Sequence, residues 1–216
     1  GKHLFEATRY LGEQLRIWNV KKINSLFLTH AHFGHVDGLG LFGRETMNAR
    51  GISLYCSEKM VDLIERTPNW SILLSQGVFQ TNTVKLVNLP GVSVEAIRVP
   101  HRAELSDMHA YLIKANKTLL FLPDHDTWHE TLGDHNLRSW LNYLEVDIAL
   151  IDGTFYTSDE LKHRSQEEVP HPPVEQTLEM LGKKREGDGR VVFIHLNHTN
   201  RLCSCLLYTS DAADDA

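Results

Sequence analysis

The stretch "LTHAHFGHVDGLG", residues 28–40, sets three histidines within six positions directly after an apolar run. The preceding "SLFL" reads as a buried strand ending near His30, and in extended chain residues i and i+2 point to the same side. His30 and His32 therefore share one face of the strand's exit, while His35 comes round on the first turn of a following helix. Three ring nitrogens at one rigid strand-to-helix corner suit a divalent ion, which takes neutral imidazoles at about 2.0–2.1 Å and can keep a coordination position open for water. One histidine here would be an ordinary loop residue. The spacing H-x-H-x-x-H after a strand points to metal instead.

The rest of the chain supplies strands and helices in alternation. Apolar or β-branched runs read as strands at Ser25–Thr29, Ile52–Cys56, Val84–Val87, Val92–Val99, Ala110–Lys114, Thr118–Leu122, Asp147–Ile151 and Val191–Leu196. Helical patterns lie at Leu39–Ala49, Glu58–Glu65, Leu137–Leu144 and Val174–Leu181, the last led in by "PHPP". Between Val84 and Leu122 three or four strands follow one another without a helix, which implies antiparallel pairing there. An α/β sandwich, with helices outside two packed sheets, is the expected architecture. With 216 residues, 42% hydrophobic and 23% charged, the chain is long enough to bury a substantial core as one domain.

Composition also narrows the partners. A net charge of −6 gives no broad basic field, and no local basic patch stands out, so a nucleic-acid role is not expected. No apolar stretch reaches the roughly 18–20 residues that span a bilayer, and residues 1–20 lack the layout of a signal peptide. A cytoplasmic protein without a membrane partner is expected, its oligomeric state left open. There is no initiator Met and Gly1 opens onto a helix-like segment, so the expectation is an N-terminally incomplete chain. Cys203 and Cys205 lie in the tail "CSCLLYTSDAADDA", which resembles a translated sequencing-adapter read-through, leaving Cys56 alone in a body that holds no disulfide framework. The domain is expected over residues 1–202, with 203–216 as an artefactual or disordered tail. Surface segments are expected around residues 158–173 and 183–189.

Further polar residues follow apolar runs where a site would need them: His101 after "AIRVP", Asp124 after "TLLFLP", Asp152 ending "DIALID" and His195 within "VVFIHLNHTN". The C-terminal edges of strands are where open α/β architectures collect ligands. Asp124 in "PDHD" reads as a site residue, with a loop cap as the weaker alternative, and His125 and Asp126 read as outer or surface groups. Asp152 is a candidate to orient a ligand histidine. Arg102 is a candidate contact for an anionic substrate group, although a solvated surface residue is the preferred reading; His109 reads as the start of a strand, and Trp70 as core in preference to a pocket wall.

His30-Ala31-His32-Phe33-Gly34-His35, followed in order by His101, Asp124 and His195, resembles the metallo-β-lactamase fold hydrolases, whose signature is H-x-H-x-D-H followed by His, Asp and His. The resemblance covers roughly Ser25 to Arg201. The stretches "IDGTFYTSDEL", "PHPPVEQTLEML" and "FIHLNHTN" resemble the branch that contains pyrroloquinoline-quinone biosynthesis protein B and the ribonuclease Z-type phosphodiesterases. It implies an αββα sandwich with the site at one edge, its first strands expected before Gly1. It also implies a first metal site of His30, His32 and His101, and a second of His35 and His195, bridged by Asp124. The resemblance favours His195 over His198, because members of the family carry this histidine directly after the apolar run; His198 is then a neighbour able to hydrogen-bond or substitute. The implied cofactor is one or two zinc ions, with iron or manganese as alternatives. The implied activity is a metal-dependent hydrolase turning an activated water on a small-molecule ester, lactone or phosphodiester. His171 aligns with a histidine that relatives place near the metals as acid or phosphate contact, although an exposed loop histidine before a helix is also open. Two other readings stay open: an iron-dependent, oxygenase-like enzyme of cofactor biosynthesis, and a metal-binding protein without turnover.

Gly34 stands where the family pattern has an aspartate. Losing that carboxylate weakens the second site or shifts its metal preference. Glycine also suits a tight corner that needs positive φ. Asp37, further along the helix start, points elsewhere.

Overall fold

Burial along Ile52–Cys56 alternates, with Ile52, Leu54 and Cys56 buried and Ser53 and Tyr55 half-buried, which is the pattern of a strand covered more on one face than the other. Such strands organise a computed structural model that describes residues 1–160 and 168–203. Two compact bodies make up the chain: Gly1–Pro90 with Ala103–His109, and Gly91–Arg102 with Ala110–Ala216.

The first body carries β1 (His3–Phe5), β2 (Ser25–Phe27), β3 (Ile52–Cys56) and β4 (Phe79–Thr83) in the order β1-β2-β3-β4, every pair parallel. Parallel neighbours require crossovers. These are α1 (Leu11–Ile17), then α2 (Phe33–Val36) running into a 3-10 turn at Asp37–Phe42, then α3 (Glu58–Arg66) and α4 (Pro68–Ser75); a short strand β5 (Leu86–Leu89) follows β4. Ser57 caps α3 by accepting from Met60 N at 3.2 Å, and Pro68 opens α4 where its missing N–H costs nothing. Leu11, Leu26, Leu28, Leu39, Phe42, Leu54, Met60 and Ile64 form the core, and half-buried Trp70 packs against it.

The second body has β6 (Val92–Val99), β7 (Met108–Lys114) from Ala110 onward, β8 (Thr118–Leu122), β9 (Ile148–Asp152) and β10 (Arg190–Ile194), in the order β10-β9-β8-β7-β6. The β7–β8 pair is antiparallel, as expected for consecutive strands without a helix, whereas β8, β9 and β10 run parallel. Between β8 and β9 lie α5 (Trp128–Leu132) and α6 (Leu137–Tyr143), capped by Thr127 and Asn136; α7 (Val174–Leu181) joins β9 to β10. Parallel β8, β9 and β10 deliver Asp124, Asp152 and His195 to one edge. Gly153 lets that edge close, for a Cβ there would lie 2.8 Å from Phe193 Cβ and 3.0 Å from Ile194 O.

Several expectations change. The helix expected at Leu39–Ala49 is instead the 3-10 turn Asp37–Phe42 followed by turns. Gly38, Gly40 and Gly43 deprive it of helix-forming side chains, and Gly38 is pinned by its N–H to Ala7 O at 2.7 Å. The opening segment is the strand β1 before it is a helix, and β4, α4 and α5 were not anticipated. β10 stops at Ile194 rather than Leu196, because His195 turns to a φ of 61°. In the surface segment expected at 158–173, residues 161–167 lie outside the described residues, and His171, Pro172 and Pro173 are buried. All of the expected tail beyond Cys203 also lies outside them. Among the described residues no helix is long and apolar enough to cross a membrane.

A Cβ on Gly38 would lie 2.4 Å from Thr8 O and 2.9 Å from Ala7 O, both backbone atoms, whereas one on Gly40 would meet nothing within 4 Å. Gly38→Ala is therefore expected to destabilise the protein by about 2 kcal/mol in denaturant titration, with Gly40→Ala close to neutral. Equal midpoints for the two variants would contradict this packing.

Candidate metal centre

In the first body, β2 hands the chain to Leu28 and Thr29, which set the histidine corner. Thr29 N donates to Glu6 Oε1 at 3.0 Å, and Ala31 N donates to Ser106 Oγ at 3.1 Å. The rings of His30, His32 and His35 gather there, His30 lying 4.5 Å from His32 and 4.3 Å from His35 between centroids. His30 Nδ1 is 2.9 Å from Thr29 Oγ1, and His30 Nε2 is 2.9 Å from His32 Nδ1. On its far side His32 Nε2 lies 3.0 Å from Glu104 Oε1. A proton held there for the carboxylate leaves His32 Nδ1 with its lone pair toward His30. Two facing ring nitrogens can share one proton or one cation.

Glu6 escaped the sequence reading. It is buried, left-handed at φ 67°, and its Oε2 lies 3.5 Å from His35 Nδ1. Its N–H donates to Phe27 O at 2.9 Å, and Ala7 N donates to His35 O at 2.8 Å, so the exit of β1 straps the histidine turn. Its sequence signal was faint: Glu6 follows only two apolar residues, Leu4 and Phe5, in place of the longer runs that precede Asp124 and Asp152. Gly34 sits within α2 and is not among the positive-φ residues, so the corner that would need glycine is not there. Asp37 pairs with Arg9 at 3.1 Å.

In the second body, His101, Asp124 and His171 bring ligand atoms within 4.8 Å of one another, and so do Asp124, Asp152 and His195. All are buried except His195, whose side chain keeps 34% of its exposure. Asp126 Oδ1 lies 3.0 Å from His101 Nδ1, and Asp124 Oδ1 lies 3.2 Å from His195 Nδ1 and 3.5 Å from His171 Nδ1. Asp152 is already saturated. Its Oδ1 accepts from Thr154 N at 2.9 Å and Thr154 Oγ1 at 2.7 Å, and its Oδ2 accepts from His171 Nδ1 at 2.7 Å and His125 N at 3.3 Å. With four donors on two oxygens it orients neighbours rather than offering a lone pair to an ion. His171 is no exposed loop residue. Burial pulls its pKa down, but the Asp152 hydrogen bond and the Asp152 and Asp124 charges outweigh burial and the opposing Arg102, so the net direction is up. Arg102 is accordingly a half-buried neighbour of the site rather than a solvated residue. His198 is exposed, its Nδ1 3.2 Å from Asn197 Oδ1.

Imidazole nitrogens and a buried carboxylate are a donor set suited to zinc, manganese or iron, and two carboxylates buried side by side favour a cation near them. The residues therefore fit the group that the sequence motif implies.

The profile described as the beta-lactamase superfamily domain matches residues 5–196, and the chain belongs to the metallo-β-lactamase superfamily. Its α/β fold has two sheets flanked by helices. Among solved structures it is similar to Zn(2+)-bound PqqB from Methylobacterium extorquens, at 18% identity and TM-score 0.70 over 96% of this chain and 76% of that one. A diphosphatase from the PhnP family matches at 20% identity and TM-score 0.62, covering 91% of this chain and 70% of its own. The metallo-beta-lactamase fold protein YhfI from Bacillus subtilis matches at 13% identity and TM-score 0.64, covering 90% and 75%. Comparison with curated proteins gives no match.

His125 offers a check on the second body. Its ring is fully buried, 4.2 Å from the Trp128 ring, and among the described residues neither ring nitrogen has a hydrogen-bond partner. Burial pushes its pKa down from 6.5 to about 4, the Asp152 and Asp124 charges opposing and the His171 and His101 charges assisting. The folded state thus resists the proton that the unfolded chain accepts below 6.5, so this stabilising contribution is present above that pH and is lost as pH falls to about 4. The metal-free protein should lose about 3 kcal/mol over that window relative to His125→Phe, measured by denaturant unfolding across pH. Parallel stability curves for the two proteins would contradict the assignment.

Proposed function

We propose that the protein is a metal-dependent hydrolase of a small ester, lactone or phosphodiester. The observation that carries this reading is the buried grouping of His101, Asp124 and His171, with Asp152 held behind His171 by a 2.7 Å hydrogen bond. The ligands proposed are His30, His32 and His35 from the first body and His101, Asp124 and His195 from the second, following the order of the sequence motif. Zinc is the first ion to test, with manganese and iron as alternatives. A bound divalent ion supplies Lewis acidity and a water of lowered pKa.

The chain's own residues supply the proton. His171 directs Nδ1–H to Asp152, which leaves Nε2 to carry the proton that a leaving group needs. The Asp152 carboxylate favours the imidazolium, so His171 holds that proton at higher pH than an ordinary histidine. Gly34 removes the carboxylate usual at its position, so the second ion, if taken up, is expected to bind more weakly than the first. Likeness to a PhnP-family diphosphatase keeps phosphorus esters among the substrates to screen.

The test is a hydrolase panel with the zinc- and manganese-loaded protein. Asp124→Ala should abolish turnover and lower bound metal. His171→Ala should lower kcat by about 100-fold for poor leaving groups such as alkoxides and little for p-nitrophenolate, which needs no acid. No turnover across the panel by the metal-loaded wild type would end the hydrolase reading, undiminished turnover in Asp124→Ala would remove that carboxylate from the site, and an equal loss across leaving groups would remove His171 from the acid role.

A further inference from the structure

Thr154 sits two residues beyond β9, and its hydroxyl meets three side chains at once. Oγ1 lies 2.7 Å from Asp152 Oδ1, 3.0 Å from His195 Nδ1 and 3.2 Å from His171 Nδ1. A hydroxyl has one hydrogen to donate and two lone pairs that accept. The hydrogen goes to Asp152, since a buried carboxylate can only accept. His171 Nδ1 already has the shorter bond to Asp152 Oδ2 at 2.7 Å. The remaining acceptor capacity of Thr154 Oγ1 therefore faces His195 Nδ1.

The backbone of Thr154 reinforces the same grip. Its carbonyl accepts from Asn197 N at 3.0 Å and from Asn200 Nδ2 at 3.4 Å, on the segment that follows His195. Asn200, itself buried, also donates to Gly153 O at 2.6 Å. His195 holds a φ of 61°, a conformation that persists in a non-glycine residue only where the surroundings over-determine it. Thr154 provides that determination from both its side chain and its main chain.

We propose that Thr154 is the positioning residue for His195: its hydroxyl bridges Asp152 to His195 Nδ1, keeps that nitrogen protonated and so presents Nε2 as the ring's ligand atom. The role in metal binding rests on the reading given under Proposed function; the effect on the ring does not.

Two arms test it with Thr154→Val, which keeps the shape and removes the hydroxyl, and Thr154→Ser, which keeps the hydroxyl. In the first, 15N imidazole spectra of the metal-free protein are recorded at alkaline pH. Wild type and Thr154→Ser should show His195 protonated at Nδ1, and Thr154→Val should show a mixture with the Nε2–H tautomer. In the second, zinc affinity measured by calorimetry should fall about 10–100-fold in Thr154→Val and be restored in Thr154→Ser. Retention of pure Nδ1–H in Thr154→Val would overturn the proposal, because Asp124 Oδ1 at 3.2 Å would then be the acceptor that sets the ring. So would a Thr154→Ser protein that behaves like Thr154→Val, since the methyl group would then be what matters. A wild-type protein that takes up no zinc would retire the metal reading and leave the tautomer arm to decide on Thr154.

Discussion

A carboxylate is tolerated away from water only where donors or positive charge surround it, and the second body buries two at the ends of neighbouring strands. Asp124 follows β8 and Asp152 ends β9, so parallel pairing brings like charges to one edge. The remaining residues of that edge answer this cost. Four donors converge on Asp152, and imidazoles face Asp124 at 3.2 Å and 3.5 Å. His171 belongs to both environments, which is why burial fails to pull its pKa down. Gly153 matters for the same reason: without its close approach to β10, the segment bearing His195 could not reach the carboxylates.

The first body answers a smaller version of the same problem. Glu6 is buried at the end of β1, and its two oxygens are turned to Thr29 N and His35 Nδ1. Its left-handed backbone and the Ala7–Gly38 hydrogen bond fold the exit of β1 over the histidine turn. The corner's rigidity thus comes from backbone strapping and a carboxylate far away in sequence, as much as from the strand-to-helix junction. Rings held this way are oriented before any ligand arrives, which lowers the ordering cost of binding.

Much of this was legible in the sequence, and the parts that were not share physical causes. β3, β6, β8 and α7 match their expected ranges because each is bounded by turn residues and follows one hydrophobic period. β1 and β4 are missed because His3–Phe5 is three residues long and "FQTNT" is mostly polar, its face set by pairing with β3 rather than by its own pattern. The helix expected from Leu39 fails because its apolar spacing was helical while its glycines, Gly38 above all, serve close backbone approach. The three histidines of the corner, His101, Asp124, Asp152 and His195 could be picked out because polar residues interrupt apolar runs there. Glu6 and Thr154 could not be weighed so easily: nothing in a buried glutamate's or a threonine's local sequence says which side chain it will meet.

In the function proposed above, imidazoles and a buried carboxylate of this chain hold a divalent ion. X-ray absorption at the zinc edge, on protein loaded with one equivalent of zinc, is the decisive measurement. The expected spectrum is a shell of nitrogen and oxygen only, at about 2.0–2.1 Å, with the outer scattering of several imidazole rings. A zinc–sulfur distance of about 2.3 Å, or a spectrum of hydrated ion without imidazole scattering, would contradict it.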